Sequence, residues 1–377
     1  MNRKQRSFED LAAPGVRGLQ PYVPGKPNTE LEREYGISES IKLASNESPL
    51  GPPAAALAAI RAELESLARY PDGSGFKLKS SLAEKHGIDT ASITLGNGSN
   101  EILVLLAETF LTPGLEAIFD QYSFAIYRLA VAATGAIARI SPSQEPDQAQ
   151  PYGHDLDGFR ALLTESTRLV FIANPNNPTG TWLSQEELRA FMQDVPAACI
   201  VVVDEAYGEY VTRDDYPNTV PWLEEFDNLV ITRTFSKIYG LAGLRVGYAM
   251  SSPGIAELLN RVRAPFNVNS LGLIAAEAAL ADDAFVTRSR ELNGQGLEML
   301  SNGLAELGLQ IIPSIGNFVL VDLGRPSGPT YESLLREGII TRPVANYGLP
   351  NHLRITVGLP EQNEWVLEAL GRIMGLK

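Results

Sequence analysis

The chain has 377 residues, too many for one simple core, with 44% hydrophobic and 20% charged residues and no long biased tract. Its formal net charge of −14 argues against a nucleic-acid-binding face or docking on an anionic membrane, both of which need clustered cations. One cysteine, Cys199 in the apolar run "AACIVVVDEAY", excludes an intrachain disulfide framework and reads as a small buried hydrophobe.

In chain order, the start "MNRKQRSFEDLAAPG" is basic but has no apolar h-region, and no uncharged apolar run reaches spanning length, so a cytoplasmic protein is expected. Residues 1–50 are rich in proline and glycine ("GLQPYVPGKP", "NESPLGPP") and read as an extended arm. "AAALAAIRAELESLARY" carries apolar residues at helical spacing and stops before Pro71. Strand candidates follow in "SITLGN", "EAIFD", "LVFIANP", "CIVVVDEAY", "LVITRTFS" and "RVGYAMSS", several separated by amphipathic stretches. That alternation predicts an α/β fold with a doubly wound, mostly parallel sheet. Beyond about residue 270 long helical stretches lead into "QIIPSIGNFVLVDL", "GIITRPV" and "HLRITVG", then a helix from Glu361, which reads as a smaller α+β domain. The expected division is therefore an arm at 1–50 partly joining the small domain, a large domain at 51–270, and a small domain at 271–377.

Ligands of open α/β sheets collect beyond the carboxyl ends of the strands, and the polar residues of interest stand at such ends. After "SITL" comes "GNGSNEIL", a tight turn with a helix starting near Ser99 and Asn100; its free amides could cradle a phosphate, or simply form a capped turn. After "LVFIA" comes "NPNNPTGTW", where Asn177 could aim an amide at a ligand or serve the turn alone. Asp204 ends the buried run "CIVVV", with Tyr207 in the same turn; it wants a positive partner, unless it is a helix N-cap. "FSKIYGLAGLR" then supplies Ser236, Lys237 and Arg245. A lysine in a confined site can lose its proton and form a Schiff base, and an arginine offers a fixed fork to a phosphate, although a lone lysine is more often solvated. Taken together, a phosphate cradle, an Asn, a strand-end Asp, a Tyr, a Ser-Lys and an Arg describe a pyridoxal 5'-phosphate site. The lysine takes the aldehyde and the aspartate keeps the ring nitrogen protonated.

These segments resemble the fold-type I pyridoxal-phosphate aminotransferases, almost end to end, and within them the histidinol-phosphate branch. The lysine motif "TRTFSKIYGLAGLRVGY" and "NPNNPTGT" are shared widely in the fold; "RYPDGSGFKLK" and "GIITRPVANYGLPNHLRITVG" are narrower and point to that branch. The resemblance implies that Lys237 carries the cofactor and shuttles the proton, Asp204 meets the ring nitrogen, and Asn177 and Tyr207 bond the 3′ oxygen. Ser99, Asn100, Ser236 and Arg245 would hold the phosphate, and Tyr70 would reach the phosphate of the neighbouring subunit of a homodimer. Arg354 would bind the α-carboxylate, Arg342 and Tyr22 the substrate's own phosphate, with Asn46 lining the same pocket. Two positions depart from the pattern. Phe124 stands where many relatives stack a tyrosine on the ring, with Tyr122 and Tyr127 close by, and Ser48 replaces a more usual asparagine with little expected effect. No metal is expected. The implied activity is ping-pong transamination between histidinol phosphate with 2-oxoglutarate and imidazole acetol phosphate with glutamate. The resemblance leaves an aromatic amino-acid aminotransferase on the same scaffold, a threonine-phosphate decarboxylase, or a non-catalytic pyridoxal-phosphate-binding regulator as competing readings.

Overall fold

The computed structural model describes residues 8–21, 25–37 and 39–376. Thirteen strands run in chain order among them: β1 (Ile41–Lys42), β2 (Ile93–Gly96), β3 (Glu116–Asp120), β4 (Ile137–Ser141), β5 (Thr167–Ala173), β6 (Ile200–Asp204), β7 (Leu229–Thr234), β8 (Gly247–Ser251), β9 (Gln310–Ile312), β10 (Phe318–Asp322), β11 (Ile339–Ile340), β12 (Arg342–Pro343) and β13 (His352–Thr356). The order in the large sheet is β2-β8-β7-β6-β5-β3-β4, parallel except at β8, which runs against both neighbours. Central strands such as β6 ("IVVVD") are buried at every position because helices cover both faces of a parallel sheet.

Alternate residues of one strand enter opposite cores. Val201 and Val203 join Phe159, Phe191 and Tyr248 on one face, whereas Val202 joins Leu106, Phe119, Phe171 and Val230 on the other. That second face bears Asp204 at the carboxyl end of β6, and the first bears Arg233 of β7.

The second sheet, β12-β13-β10-β9, is antiparallel throughout. Its core includes Ile41 and Leu43 of the arm, packed with Leu300, Leu334, Ile355 and Leu370. β1 also pairs in parallel with β11. The arm is less extended than its prolines suggest, since Asn28–Tyr35 is helical and buries Leu31. Two further expectations shift. The edge strand β4 escapes the sequence pattern because it is covered on one side only, so Ile137 and Arg139 sit among half-exposed positions. The last helix starts at Pro360, one residue early, because proline's missing N–H costs nothing in a first turn.

Candidate active site

The carboxyl edge of the large sheet meets β12 and β13 around a cavity of about 400 Å³. It is lined by Asn46, Ser99, Asn100, Phe124, Asn177, Asp204, Tyr207, Ser236, Lys237, Arg245, Arg342 and Arg354, so most of the expected residues converge here. Three arginines and Lys237 line it and only Asp204 is an acid, a local reversal of the chain's net charge. Tyr70 is not on this wall; it is 82% exposed and stacks on Phe266 with ring centroids 4.8 Å apart. Tyr22 lies outside the described residues.

Consider first the phosphate-sized corner. The helix Ser99–Phe110 opens directly after Gly98, whose φ of +80° no bulkier residue adopts easily, and a Cβ there would strike the Arg245 guanidinium at 2.4 Å. Gly247 is as constrained: a Cβ would come within 2.1 Å of the Ser99 amide. These approaches bring the helix N-terminus, with its free amides and positive dipole end, beside Ser236 and Arg245. Arg245 donates to the Ser236 hydroxyl at 3.2 Å.

Asp204 faces the cavity wall opposite. No α-helix follows it (the next element is the short turn Gly208–Tyr210), so it is not an N-cap. Its carboxylate accepts from the Tyr127 hydroxyl at 2.8 Å and the Thr232 hydroxyl at 3.0 Å. Burial pushes its pKa up, against the pull of those bonds and of the Ala206 amide. Lys237 Nζ donates to the Ser45 carbonyl at 3.0 Å. Desolvation first, then the Arg354 charge, pulls its pKa down to about 7, so the neutral amine is accessible at physiological pH.

The remaining wall is a lattice of polar contacts. Arg354 donates to Asn177 and, at 2.6 Å, to the Ala44 carbonyl. Asn46, held at a φ of +55°, donates to Tyr207 at 2.9 Å and bonds Thr356 from its own amide. Arg342 stands directly opposite Arg354 in the β12–β13 register, so two guanidinium groups share one wall.

Among the three aromatic candidates the geometry discriminates. Phe124 and Tyr127 both line the cavity, the Tyr127 hydroxyl being spent on Asp204, whereas Tyr122 packs edge-on against Tyr152 away from it. Sequence reasoning missed Tyr127 and Thr232 as partners of Asp204. The available signal was that a tyrosine on the apolar face of a helix needs a partner for its hydroxyl.

The whole span 38–370 matches the family model for aminotransferase class I and II. The chain is 56% identical over 369 residues, 97% of its length and 98% of the relative, to "Histidinol-phosphate aminotransferase 2" of Pseudomonas fluorescens. Against the protein of the same name from Pseudomonas aeruginosa the identity is 54%, covering 97% of this chain and 98% of that one. Among solved structures, the histidinol-phosphate aminotransferase of Sinorhizobium meliloti, in complex with pyridoxal-5'-phosphate, superposes with a TM-score of 0.85 at 30% identity, covering 96% and 97% of the two chains. Aspartate aminotransferase of Thermus thermophilus shares the fold, with a TM-score of 0.83 at 22% identity over 96% of this chain and 99% of that one. The chain belongs to the class I and II aminotransferases.

Proposed function

We propose that this cavity transfers an amino group between L-histidinol phosphate and 2-oxoglutarate, giving imidazole acetol phosphate and L-glutamate, with pyridoxal 5'-phosphate as cofactor. One observation carries the reading: a buried carboxylate, Asp204, held by neutral donors, shares a cavity with a lysine near its free-base form and a helix-terminal anion cradle. The residues fit the group. The Gly98 and Gly247 approaches draw Ser99, Asn100, Ser236 and Arg245 together on one corner of the cavity, where they could hold a phosphate, and Asp204 gains the positive charge it lacks when it faces a protonated ring nitrogen. When bound, pyridoxal phosphate supplies an electron sink that eases cleavage of the substrate's Cα–H bond.

The chain's own groups do the rest. Lys237 would hold the cofactor and carry the proton between the substrate's Cα and C4′ of the cofactor, which its lowered pKa suits. Asn177 and Tyr207 would hold the cofactor through its 3′ oxygen, and Phe124 would supply an apolar wall for its ring. Arg354 takes a carboxylate in a two-pronged grip, while Arg342 and Tyr22 favour the substrate's phosphate. The same reading makes the protein a cytoplasmic homodimer in which the exposed Tyr70 reaches the partner's cofactor phosphate. It also divides the chain into an arm, a large domain and a small domain. The helix Ser270–Leu280 adds Leu273, Ala276 and Leu280 to the core of the large sheet, so the proposed boundary near 270 falls at the start of a helix that packs on the large domain.

The test is to mix purified protein with histidinol phosphate and 2-oxoglutarate and follow glutamate formation. Rapid turnover is expected, together with a higher kcat/KM for histidinol phosphate than for phenylalanine. A preference for phenylalanine would assign the chain to aromatic amino acids instead. Lys237→Ala should abolish both turnover and the visible absorption of the lysine-bound cofactor; multiple turnovers at the native rate would remove the lysine from the mechanism.

A further inference from the structure

We infer that Tyr127 is a positioning residue for the cofactor's ring nitrogen: together with Thr232 it fixes the direction of the Asp204 carboxylate and keeps that carboxylate charged. The inference rests on the cofactor reading of the cavity and deepens it.

The Tyr127 ring has one environment available to it. It is fully buried, lies flat on Phe171 (centroids 4.9 Å apart, planes 9° apart) and meets the edge of Phe124 at 6.1 Å. Its hydroxyl reaches one oxygen of Asp204 at 2.8 Å, while Thr232 reaches the other at 3.0 Å. The two donors come from different elements. Tyr127 lies on the helix Ala125–Ala133, which follows the segment carrying Phe124, and Thr232 lies on β7, ahead of Ser236 and Lys237. The carboxylate is thereby tied to both sides of the site, and neither of its oxygens can swing without breaking a bond.

The chemistry of the donors matters as much as their position. Burial and the Asp204 charge push the Tyr127 phenol well above its ordinary range, so it stays protonated and can only donate to the carboxylate. A neutral O–H stabilises the ionised carboxylate without supplying the positive charge that would compete with a ring cation. An arginine at that position would cancel Asp204. A phenylalanine would leave a more basic carboxylate that draws the ring proton toward itself.

The experiment uses the cofactor-loaded protein, with the ring nitrogen of pyridoxal phosphate labelled with ¹⁵N. In the native protein the ¹⁵N shift should lie in the protonated-pyridine range. Tyr127→Phe, which keeps the ring packing, should move it toward the unprotonated range. The same change should lower kcat by ~10-fold, the scale of one hydrogen bond to a charged group, and alter KM for glutamate by less than about twofold. Thr232→Val, which removes the other donor without touching the aromatic stack, should move the shift the same way, and Thr232→Ser should restore it. An unchanged shift and kcat in both Tyr127→Phe and Thr232→Val would overturn the inference and leave Tyr127 a packing residue. A native protein that binds the cofactor with an unprotonated ring nitrogen would overturn the role of Asp204 itself. One that binds no pyridoxal phosphate would overturn the functional reading beneath both.

Discussion

On the reverse face of the β6–β7 pair, Glu205 accepts two bonds from Arg233, at 2.9 and 2.8 Å, and one from the Thr219 hydroxyl. On the cavity face, one residue earlier, Asp204 accepts only from neutral hydroxyls and an amide. Both carboxylates are buried, at 1% and 5% exposure, and both stand at the end of the same strand. The difference is the cation. Glu205 received its counter-charge from the fold, so the pair is complete and ties β6 to β7 behind the site. Asp204 has no ion pair among the described residues, and burial raises its pKa as the physical cost of that vacancy. Two acids side by side thus separate into one paired with a cation behind the sheet and one that faces the cavity without an ion pair, as the proposed cofactor role requires.

Substitutions that remove each charge without changing its shape break this comparison most sharply. Asp204→Asn keeps one acceptor oxygen for the Tyr127 and Thr232 hydroxyls, puts an NH2 donor in place of the other, and cannot hold a proton on a ring nitrogen. We expect turnover to fall on the order of 10³-fold, the scale of losing one preorganised electrostatic contact, in a steady-state assay of glutamate formation. Glu205→Gln leaves Arg233 buried without its partner and should cost about 3 kcal/mol of stability, read from urea unfolding, with a much smaller effect on the rate of the surviving folded enzyme. The smallest effect concerns Lys237. In the cofactor-free protein its pKa is lowered to about 7, whereas the unfolded chain keeps the ordinary value near 10.5. Between those values the unfolded state binds more protons, so stability contributed by this group rises as pH increases from 7. Lys237→Met should flatten that rise, measured as the difference in unfolding free energy between pH 7 and 9.

Much of this arrangement was legible in the sequence, for physical reasons. Central parallel strands are covered on both faces, so "LVFIA", "IVVV" and "LVIT" appear as unbroken apolar runs whose first polar residues mark the sheet edge. Asn177, Asp204 and Lys237 follow directly from those ends. What escaped depended on one-sided or long-range contacts. β4 is an edge strand whose outer residues need not be apolar, and the helix Asn28–Tyr35 is masked by the prolines around it. Tyr127 looks like core in a helix of apolar residues, because its hydroxyl partner is 77 positions away. Of the two adjacent acids, sequence reasoning chose Asp204, which lines the cavity, but assigned no role to Glu205. The role of Glu205 is decided by strand alternation, and by Arg233 filling the other side.

The most direct test places the two acids side by side in urea unfolding of the cofactor-free protein at pH 7. We predict that Asp204→Asn is at least as stable as the native chain, since it removes an unpaired buried charge, while Glu205→Gln is less stable by about 3 kcal/mol. Equal losses in both variants would contradict the account, because Asp204 would then be a structural acid like its neighbour.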